Sequence, residues 1–254
     1  MRENTLKQKL NDGKAVFGTM LTFPSSTIVE MLGSLGYDWV LLDNEHGDVT
    51  VTNVEDMIRA AEITGMAPLV RPIGNELEFI CPFLDRGAWG VQVPHVNTAD
   101  EARAVVDACK FHPLGQRGSY AGRQGIGVDD YYQVANDETM AIIMIEDIVA
   151  IDTLSEILEV DNIDVFYVAP GDLAQTMGYP GQPTHPEVME AIEHVGKAAV
   201  STGKWAGTIA RTPDAYEHWR NIGYQYLCTG VANILADGAK QFVKNCRERE
   251  KAGA

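Results

Sequence analysis

Eight times along this chain a short apolar run gives way to a helical pattern. That alternation constrains the fold more than any other feature. The strand-like runs cover 16–21, 39–43, 68–71, 90–93, 141–146, 165–169, 205–209 and 224–229. Helical patterns fall between them, at 26–35, 54–63, 76–84, 99–111, 148–158, 186–202 and 213–222, and an eighth covers 232–250. Most close at a glycine, as at Gly36, Gly65, Gly87 and Gly203, which suits a helix C-cap. Strands that alternate with helices imply a parallel sheet with the helices outside. Eight such units predict a single α/β domain over 1–254, a (β/α)8 TIM barrel, a fold of about 250 residues. A further helical pattern, 3–10, would cap the barrel's bottom.

One connection breaks the rhythm. Residues 112–137 are too many for an ordinary loop and carry several glycines and arginines. A loop that enters a strand lies on the face opposite a barrel's active site, so assembly is the role expected of it. Composition removes other classes. A net charge of −16 argues against a nucleic-acid partner. No apolar run is long enough to span a bilayer, and no apolar leader follows Met1. The scattered Cys81, Cys109, Cys228 and Cys246 then read as reduced thiols of a cytoplasmic protein.

Active sites of such barrels sit at the C-terminal ends of the strands. Ionisable residues crowd there. Asp43-Asn44-Glu45-His46 ends strand two, Arg71 strand three, His95 strand four, Glu146-Asp147 strand five, and Gly171-Asp172 follows strand six. Glu146 and Asp172 offer oxygen ligands suited to Mg²⁺ or Mn²⁺, or are two solvated carboxylates. His46 is a candidate general base, or a surface histidine among acids. Arg71 is a candidate clamp for carboxylate or enolate oxygens, or a structural ion-pair partner. No lysine ends a strand, which argues against a Schiff-base mechanism. Neither a Walker loop nor a Gly-x-Ser-x-Gly motif is present.

Taken in order, Leu42-Asp43-Asn44-Glu45-His46-Gly47, Leu69-Val70-Arg71-Pro72, Val93-Pro94-His95-Val96, Gln116-Arg117-Gly118, Ile145-Glu146 and Ala169-Pro170-Gly171-Asp172-Leu173 resemble the HpcH/HpaI family of class II, metal-dependent pyruvate aldolases. Its members include aldolases of 4-hydroxy-2-oxoheptanedioate, 2-dehydro-3-deoxyglucarate and 2-keto-3-deoxy-rhamnonate. The resemblance implies a divalent ion (Mg²⁺, Mn²⁺ or Co²⁺) on Glu146 and Asp172, and pyruvate's carboxylate on the backbone of Gly171 and Asp172. It also implies Arg71 at the enolate oxygen and His46 as base. It nominates Asp85 to support His46, whereas strand-end position nominates Asp43. It implies a homohexamer as well, for which the last helix offers a docking element. Met144 departs from relatives that carry a substrate-contacting Gln there. The expected activity is cleavage of a 4-hydroxy-2-oxo acid to pyruvate and an aldehyde, with oxaloacetate decarboxylation as a side reaction. A citramalyl- or malyl-CoA type lyase and a silent metabolite-binding barrel are the alternatives.

Overall fold

The structure, a computed structural model, describes residues 3–252. Eight parallel strands close into a barrel in sequence order. They are β1 (Val16–Leu21), β2 (Trp39–Asp43), β3 (Ala67–Arg71), β4 (Gly90–Val93), β5 (Met140–Ile145), β6 (Val165–Val168), β7 (Trp205–Ile209) and β8 (Tyr226–Gly230). The helices are α1 (Thr5–Asn11), α2 (Ser26–Ser34), α3 (Val54–Ile63), α4 (Leu77–Asp85), α5 (Ala99–Cys109), α6 (Tyr131–Glu138), α7 (Ile148–Asp152), α8 (Leu154–Leu158), α9 (Pro170–Thr176), α10 (Pro186–Ser201), α11 (Pro213–Ile222) and α12 (Val231–Ala252). Among the described residues no helix is long and apolar enough to cross a membrane.

Successive side chains of a strand point to opposite faces. Here that alternation separates two cores. Val40, Leu42, Val70, Val91, Ile143 and Phe166 face the helices, while Trp39, Leu41, Leu69, Ile142, Met144, Tyr167 and Tyr226 fill the barrel. The interior is unusually aromatic, with Trp39 and Tyr226 stacked at 3.9 Å between ring centroids. Two glycines make room for them. A Cβ at Gly18 would fall 1.9 Å from the Trp39 ring, and one at Gly207 would fall 2.7 Å from Tyr226.

Helix α1 does close the bottom. Its Leu6 and Leu10 belong to the interior cluster, and Gln225 donates to the Leu10 carbonyl. Two departures from the sequence pattern have local causes. The helix expected over 148–158 breaks at Thr153, whose hydroxyl donates to the carbonyls of Asn97 (2.6 Å) and Val149 (3.1 Å). Such side-chain bonds compete with the helical ladder. The long segment 112–137 holds a 3-10 turn at Arg123–Gly125 and the start of α6. Arg117 ties it to Asp85, Arg123 to Glu62, and Gln124 to the Gly87 carbonyl, all where helices end and strands begin. It therefore lies against the barrel's bottom.

Candidate active site

The last inward position of several strands carries a charge. Trp39 and Leu41 lead to Asp43, Ala67 and Leu69 to Arg71, and Met140, Ile142 and Met144 to Glu146, one residue beyond β5. Period-two alternation thus delivers all three side chains to one mouth. The β2–β3 register sets Asp43 directly beside Arg71. The guanidinium donates to both Asp43 oxygens, Nε to Oδ1 at 2.8 Å and Nη2 to Oδ2 at 2.7 Å. Its Nη1 lies 2.8 Å from Glu45 Oε2. Burial pulls the Arg71 pKa down, but the bond to Asp43 and the charges of Asp43, Glu45 and Glu146 outweigh it and raise the pKa. Arg71 is therefore a fixed cation at the floor of the mouth.

Opposite it stands an excess of negative charge. Glu146 is 1% exposed. Burial pushes its carboxyl up to about 7, against the lowering by the His95 N–H and imidazole, and the charges of Asp172 and Glu45 add to the rise. The backbone N–H of His95 donates to Glu146 Oε1 at 2.7 Å, and His95 Nδ1 lies 3.0 Å from Asp147 Oδ2. Its Nε2 is 3.6 Å from Glu45 Oε1. Burial lowers the His95 pKa, but Asp147, Glu146 and Glu45 together leave it raised. One atom each from Glu45, His95 and Glu146 lie within 4.8 Å of one another. Glu45 Oε2 is buried, and its near neighbour is the Arg71 guanidinium in an ion pair. Crowded carboxylates beside an imidazole are a donor set that fits a hard divalent cation.

Gly171 and Asp172 open α9, where Pro170 occupies the first position. First-turn N–H groups have no intrahelical partner, which leaves those of Gly171 and Asp172 available to an acceptor. Both residues line a cavity of about 660 Å³, with His46, Arg71, Gln92, Met144, Tyr167 and Arg211. His46 donates its backbone N–H to Asp43 Oδ1 at 3.3 Å, while its exposed ring has Nε2 3.8 Å from Glu45 Oε2. The carboxylate beside the ring is thus Glu45. Asp43 is committed to Arg71. Asp85 ends α4 and accepts from Arg117 Nη2 at 3.0 Å. Barrel helices run opposite to their strands, so within one chain Asp85 and His46 stand at opposite ends.

Sequence reasoning gave no role to His95, Gln92 or Arg211. His95 has φ +52°, a left-handed backbone uncommon outside glycine, and no sequence pattern signals it. Gln92 is buried inside the barrel, where its Oε1 accepts from Tyr226 OH at 3.2 Å. Its inward position was legible from the alternation of β4. Arg211 continues the inward series of β7 past Ile209, and the same count would have found it.

An eight-stranded parallel barrel with a pinned arginine and a carboxylate cluster at the C-terminal mouth of its strands has the layout of a barrel enzyme. The family model for HpcH/HpaI aldolase/citrate lyase matches residues 19–236, and the chain belongs to that family. It is 33% identical over 241 residues to a 2-keto-3-deoxy-L-rhamnonate aldolase of Escherichia coli, covering 93% of this chain and 90% of that one. Among solved structures it resembles an HpcH/HpaI aldolase from Desulfitobacterium hafniense at 32% identity and TM-score 0.88, covering 96% of each chain. It likewise resembles an HpcH/HpaI aldolase/citrate lyase family protein from Burkholderia cenocepacia at 29% identity and TM-score 0.90, covering 96% of this chain and 99% of that one.

Proposed function

We propose that this chain is a divalent-cation-dependent pyruvate aldolase. It cleaves a 4-hydroxy-2-oxo acid to pyruvate and an aldehyde, and runs the addition in reverse. The observation that carries this reading is that Arg71, Gly171 and Asp172 line one cavity, with the buried Glu146 carboxylate close enough to feel the charges of both Arg71 and Asp172. The amides of Gly171 and Asp172 receive the substrate carboxylate. His46 takes the proton of the C4 hydroxyl, the C3–C4 electrons pass toward the 2-oxo group as the bond breaks, and a proton delivered to C3 of the resulting enolate gives pyruvate. Arg71 faces the oxygen on which negative charge develops, and Asp43 fixes its plane there. A Mg²⁺, Mn²⁺ or Co²⁺ ion on Glu146 and Asp172, with Glu45 and His95 beside them, would supply Lewis acidity to the same oxygens. Oxaloacetate decarboxylation uses the same enolate.

The protein acts in the cytoplasm, consistent with four free cysteines, and assembles as a homohexamer through α12. Pyruvate release from a panel of 4-hydroxy-2-oxo acids tests the activity. Exhaustive chelation should abolish it, and Mg²⁺ or Mn²⁺ should restore it. Full turnover after chelation would overturn the cation assignment, and a borohydride-trapped pyruvate adduct would overturn the mechanism.

A further inference from the structure

Arg211 is out of keeping with the rest of this acidic chain. Among the described residues, nearly every Lys and Arg is engaged by a carboxylate or a backbone carbonyl, as Arg71, Arg123, Lys110, Lys204 and Arg220 are. The exceptions are Lys240, Arg247, Arg249 and Lys251 on α12, and Arg211. Arg211 is unpaired in a chain with 36 acidic residues and 20 basic ones. It is also the only one of the five that lines the cavity of Asp172 and Arg71.

Its placement follows from β7. Trp205, Gly207 and Ile209 point inward, and Ala210 N–H still donates to the Cys228 carbonyl at 2.9 Å. The ladder therefore persists to the residue before Arg211, and alternation turns Arg211 toward the mouth. This is the same step past the last inward apolar residue that places Arg71 and Glu146. Pyruvate fills only a small part of the 660 Å³ cavity. The remainder lies between β7, β8 and the helices α10 and α11, with Met189, Ile192, Ile209 and Trp219 as apolar wall.

We infer that Arg211 binds an anionic end group, carboxylate or phosphate, on the aldehyde half of the substrate, so that the enzyme selects aldehydes carrying a distal negative charge. The inference rests on the aldolase reading and names the half of the substrate that reading leaves open. A guanidinium presents paired donors that match a carboxylate or phosphate. Asp214, in the first turn of α11, lines the same wall but forms no ion pair with Arg211. It faces the incoming anion and weakens its binding, while the positive end of α11 offsets part of that repulsion.

The test is a comparison of kcat/KM for addition of pyruvate to 4-oxobutanoate, glyceraldehyde 3-phosphate and 4-hydroxybutanal under saturating Mg²⁺ or Mn²⁺. The unsubstituted protein should favour one of the anionic aldehydes over the neutral one, and which anion wins separates carboxylate from phosphate. Arg211→Gln should lower that anionic-to-neutral ratio by about 10- to 100-fold, the range of one charged hydrogen-bonding group. Arg211→Lys should keep part of it, and Asp214→Asn should not lower it. A ratio is insensitive to the fraction of enzyme that folds. A ratio near one in the unsubstituted protein, or one unmoved by Arg211→Gln, would overturn the inference. Exchange of the pyruvate methyl protons with D2O, run on the unsubstituted protein without aldehyde, separates the two failures. Exchange with a flat ratio sinks only the role of Arg211, whereas no exchange sinks the aldolase reading itself.

Discussion

Arg71 owes its place to register and its orientation to Asp43. Two hydrogen bonds to one carboxylate fix the guanidinium plane, and Nη1 lies 2.8 Å from Glu45 on the cavity side. Lysine carries a single compact charge and cannot hold both Asp43 oxygens while reaching a substrate oxygen. Arg71→Lys should therefore lower kcat by about 100-fold, comparable to the loss of one oxyanion donor. Steady-state kinetics check this, and an unchanged kcat with a raised KM would reduce Arg71 to a carboxylate clamp. Glu146 invites a readout independent of turnover. At about 100 times its dissociation constant, a cation that binds only the folded chain adds about 2.7 kcal/mol. For a chain of this length that corresponds to a rise of about 5–10 °C in Tm. Mn²⁺ should produce it, and Glu146→Gln should remove most of it; an equal rise in the variant would place the cation elsewhere. Asp43, Arg71 and Glu146 were legible because each continues a strand alternation that can be counted, and Asp172 because Pro170-Gly171 marks the helix start after β6. Glu45 beside the His46 ring and His95 beside Glu146 were not, because loop backbone past a strand end follows no period. The left-handed φ of His95 turns its N–H onto Glu146, and no sequence spacing encodes that.

At the scale of elements, the strands were the most legible part of the sequence. β1, β2, β4 and β7 have the boundaries their apolar runs dictate, because a run buried on both faces can end only where polar or turn residues begin. Helix α6 was hidden, since its turns pack only a small satellite core of Phe111, Tyr131 and Ala135. A helix with so narrow an apolar face leaves little period to detect. Helix α1 raises the opposite question, whether a seven-residue helix matters to a large barrel. Its Leu10 is 1% exposed and joins the barrel interior. Leu10→Ala removes that plug and should cost about 2–5 kcal/mol, as buried leucine truncations do. The urea midpoint should fall with the slope unchanged. A change below about 0.5 kcal/mol, typical of surface sites, would show that α1 is an ornament on the barrel.

At the scale of the whole molecule, α12 is the part that one chain does not account for. Of its 22 residues only Val231 is buried. Phe242 is 70% exposed, and Ile234, Leu235 and Val243 are exposed as well. Helices in proteins gain most of their stability from packing an apolar face, and lone helices are marginal in water. A helix this long, with a phenylalanine and branched apolar residues on its surface, needs a cover that a second copy of the chain would provide. Light scattering should therefore show an assembly, a hexamer on the reading above, and Phe242→Asp should shift it toward smaller species. The thiols supply an independent check. Burial pushes Cys109 up to about 12, and it lies 1% exposed between the helices and the barrel, so it should stay silent toward a thiol reagent until the barrel unfolds. Cys246 is exposed on the single chain and lies on α12. In the assembly it should label slowly at high protein concentration and faster on dilution, and Phe242→Asp should bring it to the dilute rate at every concentration. A stable monomer whose Cys246 labels at the rate of a free thiol throughout would leave α12 uncovered in solution and overturn the assembly.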